Sequence, residues 1–217
     1  MFLDLFFPNR CLHCNRIIDA KLIVCGVCFE QIHFTHFDFS GENDLKKKCK
    51  LLFPVENAYA LMKFEKENLS RKIIHELKYR SREIVGKILS EWTIERLNFG
   101  TDKPDLIVTV PLHPKKHKER GYNQLHLFAN EIANYYRIPI DHDLVARNRY
   151  SKAQALRDKV QRLGKENTFS LTKDISGKHI LLIDDVFTTG NTLATIAWEL
   201  LFDESNKISI LVMAVDE

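Results

Sequence analysis

One stretch of this 217-residue chain concentrates its chemistry: Leu181-Leu182-Ile183-Asp184-Asp185-Val186-Phe187-Thr188-Thr189-Gly190-Asn191-Thr192-Leu193. An apolar run that reads as a buried strand ends in two adjacent carboxylates. A short hydroxyl-rich loop with one glycine then opens an apolar helical pattern. In open α/β sheets, ligands bind at the carboxyl ends of the strands. The helix N-terminus that follows offers free N–H groups and a positive dipole, which suit phosphate. Gly190 lets the backbone close around such a group, and Thr188, Thr189 and Thr192 add hydroxyl donors. Two carboxylates would repel a phosphate, so they make sense facing polyol hydroxyls or a divalent cation. Together these residues suit a sugar phosphate. Neither a Walker A sequence nor G-x-G-x-x-G occurs, which disfavours the ordinary NTPase and dinucleotide readings.

A second chemical cluster lies near the N-terminus. Cys11-Leu-His-Cys14 and Cys25-Gly-Val-Cys28 are separated by ten residues. Zinc takes four deprotonated thiolates in a tetrahedron, and each C-x2-C turn aims two sulfurs at one point. Ten residues suffice for a hairpin that brings the turns together. A closed four-thiolate site is structural. Two unconnected thiol pairs and a redox couple are the competing readings. His13, His33 and His36 read as surface residues. Cys49, inside Lys46-Lys47-Lys48-Cys49-Lys50, reads as an incidental linker residue whose pKa the neighbouring cations could lower.

The Asp184–Thr192 segment resembles the phosphoribosyl pyrophosphate (PRPP) signature of type I phosphoribosyltransferases. The resemblance implies that Asp184 and Asp185 face the ribose 2′- and 3′-hydroxyls. It also implies that Thr188, Thr189, Gly190, Asn191 and Thr192 hold the 5′-phosphate. Val110-Pro111-Leu112-His113-Pro114, continuing to Arg120-Gly121-Tyr122-Asn123-Gln124, resembles a stretch of the ComF family. Glu76-Leu77-Lys78-Tyr79 resembles that family's L-K-Y motif, and Arg149 to Gln154 with Arg162 resembles its arginine/glutamine arm. That family joins a cysteine zinc module to a type I phosphoribosyltransferase domain and is linked to natural competence.

The resemblance implies a mechanism. Breaking the C1′–O bond of PRPP gives an oxocarbenium-like transition state with negative charge growing on pyrophosphate. Positive charge is needed there, from Mg²⁺ carried with PRPP and from Lys/Arg. The basic loop from Pro111 to Arg120 would meet pyrophosphate, with Arg120 and Lys78 as the candidate cations. Residues 147–167, polar and without periodicity, would form a flap that keeps water out, with Arg149, Gln154 and Arg162 as its contacts. The acceptor would be bound by a hood built from residues 57–100, in which nothing identifies its chemistry.

Several elements must position these groups. Asn57–Phe64, Leu106–Val110, His179–Ile183 and Ile208–Val215 read as buried strands by length and β-branching. Between them, Ile73, Ile74 and Leu77, then Ile84, Val85, Ile88, Leu89 and Trp92, then Leu125, Phe128, Ala129, Ile132 and Ala133 fall on helical faces. Strands alternating with helices predict an α/β fold: a mainly parallel sheet of about five strands flanked by helices, plus a small N-terminal zinc ribbon-like module. The expected division is a four-cysteine module over 1–40, a polar linker over 41–55 and a transferase-like domain over 56–217.

Composition narrows the function classes. Hydrophobic residues at 45% and charged residues at 28% exclude disorder and coiled coil as the main architecture. No stretch approaches the ~20 apolar residues of a membrane span, and the start of the chain does not read as a signal peptide, so a cytoplasmic location is expected. A net charge of +3 gives no global case for nucleic acid. Three functions remain: a PRPP-dependent transferase with an unidentified acceptor, a non-catalytic PRPP-binding regulator, and an interaction protein of DNA uptake that contacts single-stranded DNA or a helicase.

Overall fold

The computed structural model describes residues 8–65, 69–78, 83–148 and 168–216. Arg149, Gln154 and Arg162, together with Tyr79, lie outside the described residues.

The apolar runs form strands β1 (Ala58–Phe64), β2 (Leu106–Thr109), β6 (His179–Phe187) and β7 (Lys207–Asp216). With β3 (Ile140–Asp141) they make a five-stranded sheet in the order β1-β7-β6-β2-β3, and every pairing is parallel. The central strands carry fully buried side chains on both faces, such as Leu181, Leu182 and Ile183. Such continuous apolar strands suit a parallel sheet covered on both sides. Each fully buried Leu, Ile or Val contributes roughly 1.5–3 kcal/mol of transfer free energy.

Helices α1 (Gly26–Phe29), α2 (Asp44–Lys50), α3 (Leu69–Leu77), α4 (Glu83–Ile94), α5 (Pro114–Arg120), α6 (Gln124–Tyr136) and α7 (Asn191–Leu200) complete the order. From β2 the chain runs through α6 to β3, away from β6. From β6 it runs through α7 to β7, in the opposite direction. The strand order therefore reverses between β2 and β6, and a crevice opens at their carboxyl ends. A short antiparallel pair, β4 (Val145–Arg147) with β5 (Phe169–Leu171), stands apart from the main sheet.

Three elements differ from what the sequence pattern suggests. The stretch 41–55, expected as a linker, contains α2. The Asn43 side chain caps that helix by accepting from the Lys46 N–H at 2.9 Å, and Leu45 and Cys49 form a buried face one turn apart. Cys49 is 0% exposed, and burial pushes its thiol up to about 12, opposite to the expected cation effect. The basic stretch before Arg120 is a helical turn, α5, rather than a loop. Strand β6 continues through both carboxylates to Phe187 instead of ending at them.

The cysteine-bearing segment covers the open edge of β1. The Thr35 N–H donates to the Leu61 carbonyl at 3.1 Å, and the Lys63 N–H to the His33 carbonyl at 2.8 Å. Phe29 and Phe34 pack on Trp92 of α4 with centroids 5.1 and 5.9 Å away, and the Arg96 guanidinium lies 4.1 Å over the Phe34 ring. These contacts satisfy a strand edge that would otherwise offer unpaired backbone groups. Among the described residues, no helix is long and apolar enough to cross a membrane.

Candidate functional site

The crevice between β2 and β6 holds a cavity of about 230 Å³. Val110, Pro111 and Leu112 line one side, and Asp184, Asp185 and Val186 the other. Lys78, Arg120 and Arg147 supply cations, and Thr192 enters from the first turn of α7. A mixed carboxylate and cation lining of this kind can bind a ligand with hydroxyls at one end and phosphate charge at the other.

Asp184 and Asp185 are neighbours on β6, so their charges compete. Burial, and then the charge of Asp185, push the Asp184 carboxyl up to about 8, against the pull of Lys78. The Asp185 N–H donates to Asp184 Oδ1 at 2.8 Å. Asp185 is better supplied with donors. It accepts from the Val186 N–H at 2.8 Å and from Gln124 Nε2 at 3.2 Å, and Lys78 Nζ stands 3.8 Å from its Oδ2. Arg120 is held by the same glutamine, donating from Nη1 to Gln124 Oε1 at 3.1 Å. Asn123 fixes the start of α6 twice. Its amide donates to the Val110 carbonyl at 3.1 Å and its oxygen caps the Leu125 N–H at 3.1 Å.

The loop residues divide. Gly190 is buried with φ 72°, a left-handed conformation that favours glycine, while Thr188 and Thr189 are exposed. Of the five loop positions, Thr192 lines the cavity. The structure also brings in Gln124, to which the sequence pattern assigns no role, and singles out His113 within the basic stretch and Arg147 at the start of the 147–167 segment. Gln124 lay within a quoted motif, but nothing in its type marked it as the bridge. Arg147 sits on β4 with its guanidinium 5.0 Å over the Phe169 ring of β5, a pairing invisible along the chain.

The second cluster is compact. The sulfurs of Cys11, Cys14, Cys25 and Cys28 all lie within 4.8 Å of one another, and Cys14 and Cys25 are 3.7 Å apart. A tetrahedron with Zn–S of about 2.3 Å puts its sulfurs about 3.8 Å apart, so the four thiols fit zinc. None of the five cysteines is in a disulfide. Burial opposes ionisation of Cys11, but N–H donors of Cys14, Cys25 and His13 overcome it and bring the thiol down to about 6. Burial and then the neighbouring thiols push Cys28 up to about 12.

Residues 126–216 match the family model described as phosphoribosyl transferase domain, and residues 2–38 match that of a double zinc ribbon domain. Competence protein ComFC of Bacillus subtilis is 34% identical over 175 residues, covering 78% of this chain and 68% of the relative. The chain belongs to the ComF family. Competence protein F of Haemophilus influenzae is 27% identical over 210 residues, 88% of this chain and 90% of its own. DNA utilization protein YhgH of Escherichia coli K12 is 33% identical over 135 residues, and the match spans 59% of this chain and 60% of that relative. The chain thus joins an N-terminal double zinc ribbon to a phosphoribosyltransferase domain built on a parallel five-stranded sheet. Lys78 and Arg120 lie ahead of the matched transferase segment, so their place in the cavity rests on the geometry of this chain.

Proposed function

We propose that this ComF protein binds PRPP with Mg²⁺ in the β2–β6 crevice and transfers its phosphoribosyl group to an acceptor, releasing pyrophosphate, as part of DNA uptake. One observation carries the reading: a carboxylate pair on the central strand shares a cavity with three cations and with Thr192 in the first turn of α7. Asp184 and Asp185 accept hydrogen bonds from the ribose 2′- and 3′-hydroxyls. Thr188, Thr189, Gly190, Asn191 and Thr192 receive the 5′-phosphate on free N–H groups and hydroxyls. Arg120 and Lys78 face the pyrophosphate, and Arg147 adds a third cation. Mg²⁺ carried with PRPP would neutralise further charge on the leaving group.

The reaction follows from that arrangement. The acceptor's lone pair attacks C1′ while the C1′–O bond breaks, and its electrons leave with the pyrophosphate oxygen. The cations are worth most as that charge grows, in a site closed to water. Arg149, Gln154 and Arg162 complete the closure in this reading. The proposed division keeps the structural zinc of Cys11, Cys14, Cys25 and Cys28 in a module over 1–40, joined through 41–55 to the transferase domain over 56–217. Zinc there would cross-link the turns that cover β1.

A second reading is favoured by the relatives' names, which speak of competence and DNA utilization rather than of an enzyme. In it the protein binds PRPP without turnover and acts as a regulator, or contacts single-stranded DNA or a helicase of DNA uptake. Pyrophosphate release from Mg²⁺-PRPP, followed while nucleobases, amines and other nucleophiles are offered as acceptors, separates the two. The proposal expects release that depends on one acceptor. Binding of PRPP without release under any acceptor favours the regulator.

A further inference from the structure

Leu52 belongs to the stretch that reads as linker, yet its side chain reaches the loop that opens α7. A Cβ added at Gly190 would stand 2.6 Å from Leu52 Cδ1, and 2.7 and 2.8 Å from Phe187 Cζ and Cε2. Leu52 and Phe187 therefore close on the Gly190 α-carbon, leaving no room for a side chain. Gly190 is also where the helix begins, since its carbonyl accepts from the Ala194 N–H at 2.8 Å. Its position sets where the free N–H groups of the first turn point.

Leu52 is itself fixed from both sides. Its N–H donates to the Cys49 carbonyl at the end of α2 at 2.8 Å, and its carbonyl accepts from Trp198 Nε1 of α7 at 3.1 Å. Helix α2 is anchored in turn, because Lys48 Nζ donates to the Asp216 carbonyl at the end of β7 at 2.6 Å, and Leu45 and Cys49 are buried. A continuous path of contacts thus runs from α2 through Leu52 to Gly190.

We propose that Leu52 is a positioning residue for the phosphate loop, holding Gly190 in its left-handed conformation so that the first turn of α7 is aimed before ligand arrives. The inference rests on the assignment of that loop to the 5′-phosphate. It gives the segment ahead of the transferase domain a part in ligand binding that a tether would not have. Truncating Leu52 removes one wall of Gly190, while Leu52 is not among the residues that line the cavity with Lys78 and Arg120.

The test separates the two ends of the ligand. Ribose 5-phosphate probes the loop, and Mg²⁺-pyrophosphate probes Arg120 and Lys78. Both are titrated calorimetrically into the full-length native protein, Leu52→Ala and Leu52→Met, with thermal midpoints measured alongside. Leu52→Ala is expected to lose roughly tenfold in ribose 5-phosphate affinity while keeping that for pyrophosphate, and Leu52→Met to stay within about twofold of native on both. An unchanged ribose 5-phosphate affinity in Leu52→Ala overturns the inference. So does an equal loss on both ligands, which would mean a general loosening. Should Leu52→Ala not fold, Leu52→Val, which withdraws the δ-carbons, is read in the same way. Native protein that binds pyrophosphate but no ribose 5-phosphate overturns the loop assignment itself and takes this inference with it, a different outcome from failure of the variant alone.

Discussion

Gln124 bridges Arg120 and Asp185: its Nε2 donates to Asp185 Oδ2 at 3.2 Å while its Oε1 accepts from Arg120 Nη1 at 3.1 Å. One buried amide, 6% exposed, thus orients both a carboxylate of the proposed ribose site and a cation of the proposed pyrophosphate site. A carboxylate and a guanidinium of opposite charge are linked through one neutral amide.

Replacing that amide should uncouple them. Gln124→Leu keeps the volume but removes the side-chain amide donor to Asp185 Oδ2 and the acceptor of Arg120 Nη1, a loss on the order of 1–3 kcal/mol for buried polar groups. PRPP affinity measured by calorimetry is expected to fall at least tenfold, with the thermal midpoint lowered slightly. Unchanged affinity would show that the bridge plays no part in binding.

Asp184 should make stability depend on pH. Its carboxyl titrates near 3.8 in the ordinary range and is raised to about 8 in the folded protein by burial and by Asp185. The folded state therefore holds the proton more tightly than the unfolded one. The stability this gives is complete below about pH 4 and is lost as pH rises to about 8, with a slope of at most ~1.4 kcal/mol per pH unit. Asp184→Asn removes that slope. Unfolding midpoints of native and variant should agree near pH 4 and diverge by pH 8, with the variant the more stable. Parallel curves across that range would contradict the burial of this charge.

Much of this was legible along the chain. Periodicity and β-branching marked the strands β1, β2, β6 and β7, and the carboxylate pair and paired C-x2-C turns marked both clusters. What stayed hidden depended on tertiary packing. Helix α2 looked like a linker because four of its seven residues are lysines, while its two buried apolar positions, Leu45 and Cys49, show only against β1. The pair β4–β5 has strands of three residues each, too short for a periodic signal. Arg147 could not be told from Arg149 by charge. Gln124 and Leu52 act through partners 61 and 138 positions away, at Asp185 and Gly190, which no local pattern records.

Zinc removal should reach beyond the cysteine module. Cys11 to Cys28 frame the turns that lead into Phe29 and Phe34, and these pack on Trp92, while Thr35 and His33 pair with β1. Chelation, or Cys14→Ser, is expected to lower the thermal midpoint of the whole chain. For a chain of this size each kcal/mol lost amounts to roughly 2–4 °C. Scanning calorimetry with metal analysis checks this. A midpoint indifferent to zinc content would mean that the packing on β1 and α4 holds without the metal.

The central claim, that the β2–β6 crevice is a PRPP site, is tested most directly by titrating Mg²⁺-PRPP into the zinc-loaded native protein and into the Asp184→Asn/Asp185→Asn double variant. The account predicts saturable binding by the native protein, lost in a variant that is still folded. Absence of native binding, or equal binding by both proteins, would contradict it.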